Sequence, residues 1–282
     1  MKILTFDIEE WFHLLSNGST KTVVQWANYE CRIHANMEHI LSILEKQDQK
    51  ATFFCVGWIA EKYPELIKSI AQKGFEIGSH SQMHQLVYEQ SPKEFTNDLD
   101  SSIKTIEDLT GKKVKYFRAP GFSIRKDNKW AFEILAQHGI EVDCSISPLQ
   151  RTHVSYPSFS IPVPSILKYN GIELKELPIN YNSWFGKPIM YSGGGYFRLF
   201  PYSIMKKWIK KSDYVMSYLH PRDFDAEQPM IDGLSLKRKF KSYVGLKGAT
   251  QKLDKLLFDF EFVDIKTANK QIDWEKVPIV NL

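Results

Sequence analysis

Residues 51–80 read ATFFCVGWIAEKYPELIKSIAQKGFEIGSH. The run from Ala51 to Val56 is β-branched, aromatic and uncharged, as suits a strand buried on both faces. Leu66, Ile67 and Ile70 then recur at helical spacing, and Gly74 supplies a stop. Phe75 to Gly78 returns to strand, and His80 follows at once. Strand, helix and strand in so short a span form the unit of a parallel β/α fold.

The same rhythm extends in both directions. Ile3 to Phe6 reads as a buried strand, and Ile33, Met37, Ile40, Leu41 and Leu44 as one helical face. Ser91-Pro92-Lys93-Glu94 has the form of a capping box with proline at the first helical position. The helix it opens runs through Phe95, Leu99, Ile103 and Ile106 to Gly111. A strand at Val114 to Phe117, a helix around Trp130 to Ala136 and a strand at Ile140 to Val142 follow. From about 145 to 192 the rhythm breaks, with six prolines and strand-like pieces such as Ile172 to Leu177. We read one α/β domain over 1–282, a parallel β/α barrel with a small Pro-rich β insertion at 145–192 over its mouth. The rhythm resumes with a helix near Tyr202 to Lys211 and a strand from Tyr214 to Leu219. A solvated basic stretch at Lys237 to Lys241, a helix near Leu253 to Phe258 and a strand near Phe260 to Ile265 complete the chain.

Composition narrows the function. With 282 residues, 43% hydrophobic and 25% charged, the chain is neither disordered nor too small for a large core. A net charge of +4, with scattered lysines, argues against a nucleic-acid partner. No apolar run approaches the roughly 20 residues that cross a bilayer. Three dispersed cysteines (Cys31, Cys55 and Cys144) exclude a disulfide framework or a cysteine zinc site. The N-terminus turns acidic at Asp7, too early for a signal peptide, so a cytoplasmic location is expected.

Polar residues gather at the strand ends. Asp7, Glu9 and Glu10 follow the first strand, and His80 and His84 the third; Arg118 closes the fourth, Asp143 the fifth, and His220 the strand from Tyr214. In a parallel barrel these ends share one face. His80 and His84, four apart on a helical turn, place two imidazoles within reach of one ion, although a core-satisfied pair has the same spacing. Two histidines and one carboxylate leave positions open for water and substrate. Arg118 suits the orientation of a carboxylate or a structural ion pair. Gly121 lets a backbone N–H approach an oxyanion, and His220 suits proton transfer or an exposed loop. Tyr196 and Arg198, after three glycines, are candidates for holding substrate or for loop packing.

Thr5-Phe6-Asp7, His80-Ser81-Gln82-Met83-His84, Arg118-Ala119-Pro120-Gly121 and Leu219-His220-Pro221 resemble, in this order, the motifs of the polysaccharide deacetylase family, the NodB homology domain. The resemblance implies a distorted (β/α)7-type barrel and one divalent metal, commonly zinc, on a carboxylate and two histidines. It makes Asp7 the catalytic base, His80 and His84 ligands, and His220 the acid that protonates the departing amine. The family's adjacent aspartate pair is replaced here by Asp7-Ile8-Glu9-Glu10. The ligand carboxylate then falls to Glu9, with Glu10 as the alternative. Arg118 would hold Asp7 ionised and Gly121 would face the oxyanion. Asp143, without the tryptophan usual after it, is taken with Tyr196 and Arg198 as substrate-binding. The strings Thr5 to His13, Ser192 to Arg198 and His220 to Asp225 are similar to a branch associated with bacterial exopolysaccharide and lipopolysaccharide loci. The expected activity is removal of an N-acetyl group from an amino sugar of a surface glycan or its precursor, releasing acetate. The partner is thus an N-acetylated carbohydrate, with the oligomeric state open. A cyclic-amide hydrolase of allantoin or imide type and a decayed carbohydrate-binding protein are the alternatives.

Overall fold

Residues 1–15, 17–147 and 162–282 are described by the computed structural model, so Pro148 and Pro157, two of the six prolines of the expected insertion, lie outside it. Its strands are β1 (Lys2–Ile3), β2 (Thr5–Ile8), β3 (Thr52–Cys55), β4 (Glu76–Ser79), β5 (Tyr116–Phe117), β6 (Val142–Asp143), β7 (Ser165–Tyr169), β8 (Ile172–Glu176), β9 (Asn182–Trp184), β10 (Lys187–Ile189), β11 (Val215–Met216) and β12 (Ile279–Asn281). The helices are α1 (Val23–Trp26), α2 (Ile33–Lys46), α3 (Gly57–Lys62), α4 (Pro64–Gln72), α5 (Pro92–Thr110), α6 (Trp130–Gln137), α7 (Gly194–Leu199), α8 (Tyr202–Lys211), α9 (Leu236–Tyr243), α10 (Ala249–Asp259) and α11 (Ile265–Gln271).

One sheet carries eight strands in the order β12-β7-β8-β6-β5-β4-β3-β2, parallel except at the β7–β8 hairpin. Every residue of β2 and β3 is buried, because helices cover one face and the sheet's own curvature the other. Beyond β2 the arc continues through the chain after β11: the Asp7 N–H donates to the Leu219 carbonyl at 2.8 Å, and the Leu219 N–H to that of Thr5 at 3.1 Å. Among the described residues the hydrogen bonds do not close the arc into a full ring. Register sets the site. Ile8 pairs with Cys55, Cys55 with Ser79, Ser79 with Phe117 and Phe117 with Asp143, so the carboxyl ends of β2 to β6 are level.

Helix signals in the sequence have direct counterparts. Ser91 and Glu94 form the reciprocal cap of α5, and Gly111 ends it at φ 65° in the left-handed region. Ile33, Met37, Ile40, Leu41 and Leu44 form the buried stripe of α2.

Two expectations are corrected. The segment at 145–192 is not simply a cover over the mouth: its β7–β8 hairpin joins the main sheet, β8 pairing with β6. An unpaired β6 edge would leave backbone groups without partners. The strand expected at Phe260 to Ile265 shrinks to one bridge between Val263 and Ile3. Asp264 caps α11 immediately afterwards, its carboxylate accepting the Thr267 N–H at 2.6 Å, and ends the extended run. The basic stretch at Lys237 to Lys241 is helical, within α9.

Candidate active site

Asp7 and Glu9 leave the end of β2 on a wall built from the aromatic run behind them. Asp7 is buried, and its Oδ1 accepts from Arg118 Nη1 at 2.6 Å. Arg118 is completely enclosed: Nη1 also donates to Thr5 Oγ1 at 2.7 Å, and the guanidinium lies 4.3 Å from the Phe54 ring centre. A buried cation so placed fixes one oxygen of Asp7 and leaves Oδ2 facing the cleft.

His80 and His84 are not on a helical turn, as their spacing suggested. They lie on a loop after β4 in which Ser81 and His84 take positive φ of 65° and 52°. The loop is held from outside. Asp98 of α5 accepts the N–H of Gln82 at 2.8 Å and of Met83 at 3.1 Å, while the Gly57 and Trp58 N–H groups donate to the carbonyls of Ser81 and Gln82. This fold-back brings the two imidazole centres to 5.2 Å.

Glu9, His80 and His84, all buried, each offer a ligand atom within 4.8 Å of the others. His84 Nε2 stands 2.6 Å from Glu9 Oε2. The Glu9 carboxyl is penalised by burial, yet the charge and hydrogen bond of His84, then His220 and His80, hold it well below the usual range. His80 Nδ1 lies 2.7 Å from the Arg118 carbonyl, which can only accept, so that nitrogen carries the proton and Nε2 a lone pair. Burial, foremost, lowers the His80 pKa to about 4. An ionised Glu9 carboxylate and a neutral His80 imidazole are donor forms that a divalent cation requires. The residues therefore fit such an ion. Glu10 turns away: its Oε1 accepts the N–H groups of Arg32 and Ile33 at 3.0 and 3.1 Å.

His220 faces the same space from the opposite wall, with Nε2 3.8 Å from Asp7 Oδ2 and 3.9 Å from Glu9 Oε1. Its Nδ1 is 3.0 Å from Asp223 Oδ2, and Arg198 Nε donates to Asp223 Oδ1, also at 3.0 Å. Burial opposes the imidazolium, but the Asp223 hydrogen bond and charge, aided by Glu9 and Asp7, outweigh it and raise His220 to about 9. Asp223, despite its burial, is held at about 2 by His220 and Arg198. Asp223 escaped the sequence reading; its signal is the three-residue step from His220, a capping spacing. His13 escaped it too. This buried histidine has neither ring nitrogen hydrogen-bonded and packs 4.2 Å, centre to centre, from Trp26.

A cleft of about 330 Å³ joins Asp7, Glu9, His80, His84, Gly121 and His220, with Gly121 at φ 61°. The three substrate-binding candidates fare differently. Arg198 borders the cleft but is spent on Asp223 and on the carbonyls of Lys241, Ser242 and Val244. Tyr196 does not line it and stacks on Phe200, 6.0 Å between ring centres. Asp143 does not line it either; fully buried, it accepts from Ser145 Oγ at 2.5 Å and faces Glu176. Burial, then the Asp143 charge, pushes Glu176 well up, so that pair retains a proton.

Comparison with known proteins agrees with this geometry. The profile of the family described as Polysaccharide deacetylase matches residues 4–142. Residues 4–142 are thus a polysaccharide deacetylase domain. Residues 144–270 match a domain of unknown function, DUF3473. The chain is 35% identical over 95 residues to a peptidoglycan-N-acetylglucosamine deacetylase of Bacillus cereus, covering 33% of this chain and 34% of that protein. A peptidoglycan deacetylase of Helicobacter pylori is 27% identical over 191 residues, 62% of this chain and 64% of its own. The chain thus spans only part of these relatives. A candidate polysaccharide deacetylase from Mycobacterium smegmatis superposes over 99% of this chain and 92% of its own, with TM-score 0.67 and 18% identity. A CE4 family pseudoenzyme from Bacillus anthracis does so over 100% of this chain and 69% of its own, with TM-score 0.53 and 14% identity. Both show the fold, a distorted β/α barrel. One of them being a pseudoenzyme, activity has to be argued from side chains.

Proposed function

We propose that the chain is a metal-dependent carbohydrate N-deacetylase that hydrolyses the acetamide of an amino sugar in a bacterial surface glycan or its precursor. The observation that carries this reading is the convergence of three charge states on one cleft. These are a donor triad of Glu9, His80 and His84, a carboxylate held by Arg118, and an imidazolium held by Asp223. A divalent ion held by the triad, zinc as the family resemblance implies, would supply Lewis-acid polarisation of the carbonyl and a water of lowered pKa.

The chain's own residues divide the proton work. Asp7 Oδ2 accepts a proton from the attacking water while Arg118 keeps Oδ1 occupied. The water oxygen bonds to the acetyl carbon, and the carbonyl oxygen gains charge that, by our reading, the N–H of the cleft-lining Gly121 meets. His220 Nε2 donates its proton to the sugar nitrogen as the carbon–nitrogen bond breaks, giving acetate and a free amine. The strings similar to the exopolysaccharide and lipopolysaccharide branch supply Arg198, Asp223 and one cleft wall, which favours such a glycan precursor as substrate. Three free thiols, two of them buried, favour a cytoplasmic site of action.

Release of acetate from N-acetylated sugar nucleotides and oligosaccharides, beside ring opening of cyclic amides, tests the reading. Acetate from at least one N-acetyl sugar is the expected result. Turnover confined to cyclic amides would replace it with an amidohydrolase on the same residues.

A further inference from the structure

Helix α9 lies on the surface at the mouth of the cleft with none of its eight residues buried. It is fastened at its C-terminal end. Arg198 donates to the carbonyls of Lys241, Ser242 and Val244, and the Tyr243 hydroxyl donates to the Pro229 carbonyl at 3.0 Å. Nearer its start Leu236 and Phe240, one turn apart, are 85% and 59% exposed, and Met230 on the preceding loop is 65% exposed. Lys237 and Lys241 run as a parallel row beside them. Between Gly233 and Gly248 the chain carries Lys237, Arg238, Lys239, Lys241 and Lys247 and no acidic residue. Arg238, Lys241 and Ser242 also line the cleft, so this face and the mouth are continuous.

We propose that α9 and the Met230 loop dock the protein reversibly on an anionic phospholipid surface, holding the cleft mouth against it. Large apolar side chains left in water beside lysines are the pattern of a helix lying in a bilayer interface. The apolar row enters among the acyl chains and the lysines meet the headgroup phosphates. Charge argues against a second copy as the cover, because a two-fold contact through this face sets lysine against lysine. With three insertable side chains the attachment is weak and salt-sensitive. This docking does not depend on which substrate the cleft accepts.

Flotation of the whole protein with vesicles tests it. Phosphatidylcholine vesicles are compared with phosphatidylcholine–phosphatidylglycerol vesicles at low and high salt. Wild type should float only with the anionic vesicles and be released by salt. The surface doubles Leu236→Ser/Phe240→Ser and Lys237→Glu/Lys239→Glu, none of whose sites is buried, should keep the wild-type circular dichroism and each bind at least about tenfold more weakly. Absence of flotation at low salt overturns the proposal. So does undiminished binding by the Leu236→Ser/Phe240→Ser protein, which would make the face an anion site without insertion. A concentration-dependent dimer in light scattering, abolished by that same variant, would overturn it in favour of a second copy.

Discussion

Asp7, Glu9 and Glu10 stand within four residues, yet their surroundings give them three duties. Asp7 is clamped by a buried arginine, Glu9 joins two imidazoles, and Glu10 accepts backbone N–H groups at the start of α2. Asp7→Asn should therefore keep the metal and lose about 10²–10⁴ in turnover, as expected for removal of a positioned base. Glu9→Gln should lose metal affinity, whereas Glu10→Gln should keep the metal and lower thermal stability; elemental analysis and calorimetry read these outcomes. His220 makes a pH prediction. Its folded pKa, about 9, lies above the ordinary 6.5, so the stability it contributes is complete below about 6.5 and lost as pH rises through 9. In the metal-free protein the imidazole should titrate near 9 by NMR, and Asp223→Asn should bring it down toward 6.5. As the acid for amine departure it must be protonated, so turnover should fall on the alkaline side. His220→Ala should cost about 10²–10⁴ on an acetamide and much less on an activated ester. Equal losses on both would make His220 a structural residue.

At the scale of elements, the strand–helix rhythm was legible because buried parallel strands need continuous apolar runs and helices need a stripe. Ala51 to Val56 and the α5 capping box carry those signals without competition from tertiary structure. The signals failed where tertiary partners decide. β12 is three residues long, directly follows Pro278 and has two exposed residues, and exists because it pairs with β7. Phe260 to Ile265 looks extended, but the Asp264 cap diverts it into α11. The four-residue spacing of His80 and His84 was the right clue for the wrong reason, since Asp98 and α3 shape that loop. Asp143 and Tyr196 were named from motif position, which says nothing of where a side chain turns. The Asp98 dependence is testable: Asp98→Ala touches no ligand but frees the loop, and should weaken metal binding about 10–100-fold. Unchanged affinity by competition titration would mean that the loop holds its shape unaided.

Across the whole molecule, level strand ends gather residues from opposite ends of the chain, with Asp7 and Glu9 facing His220 over more than two hundred positions of sequence. By our reading this gathering makes a metal-dependent deacetylase. Acetate release should be followed on one N-acetylated substrate with metal-loaded wild type, chelated wild type, zinc-restored wild type and the His80→Ala/His84→Ala double variant. Release is expected from the loaded and restored proteins, in step with one bound ion per chain, and none from the other two. Acetate released at the wild-type rate by the chelated protein or by the double variant would contradict it.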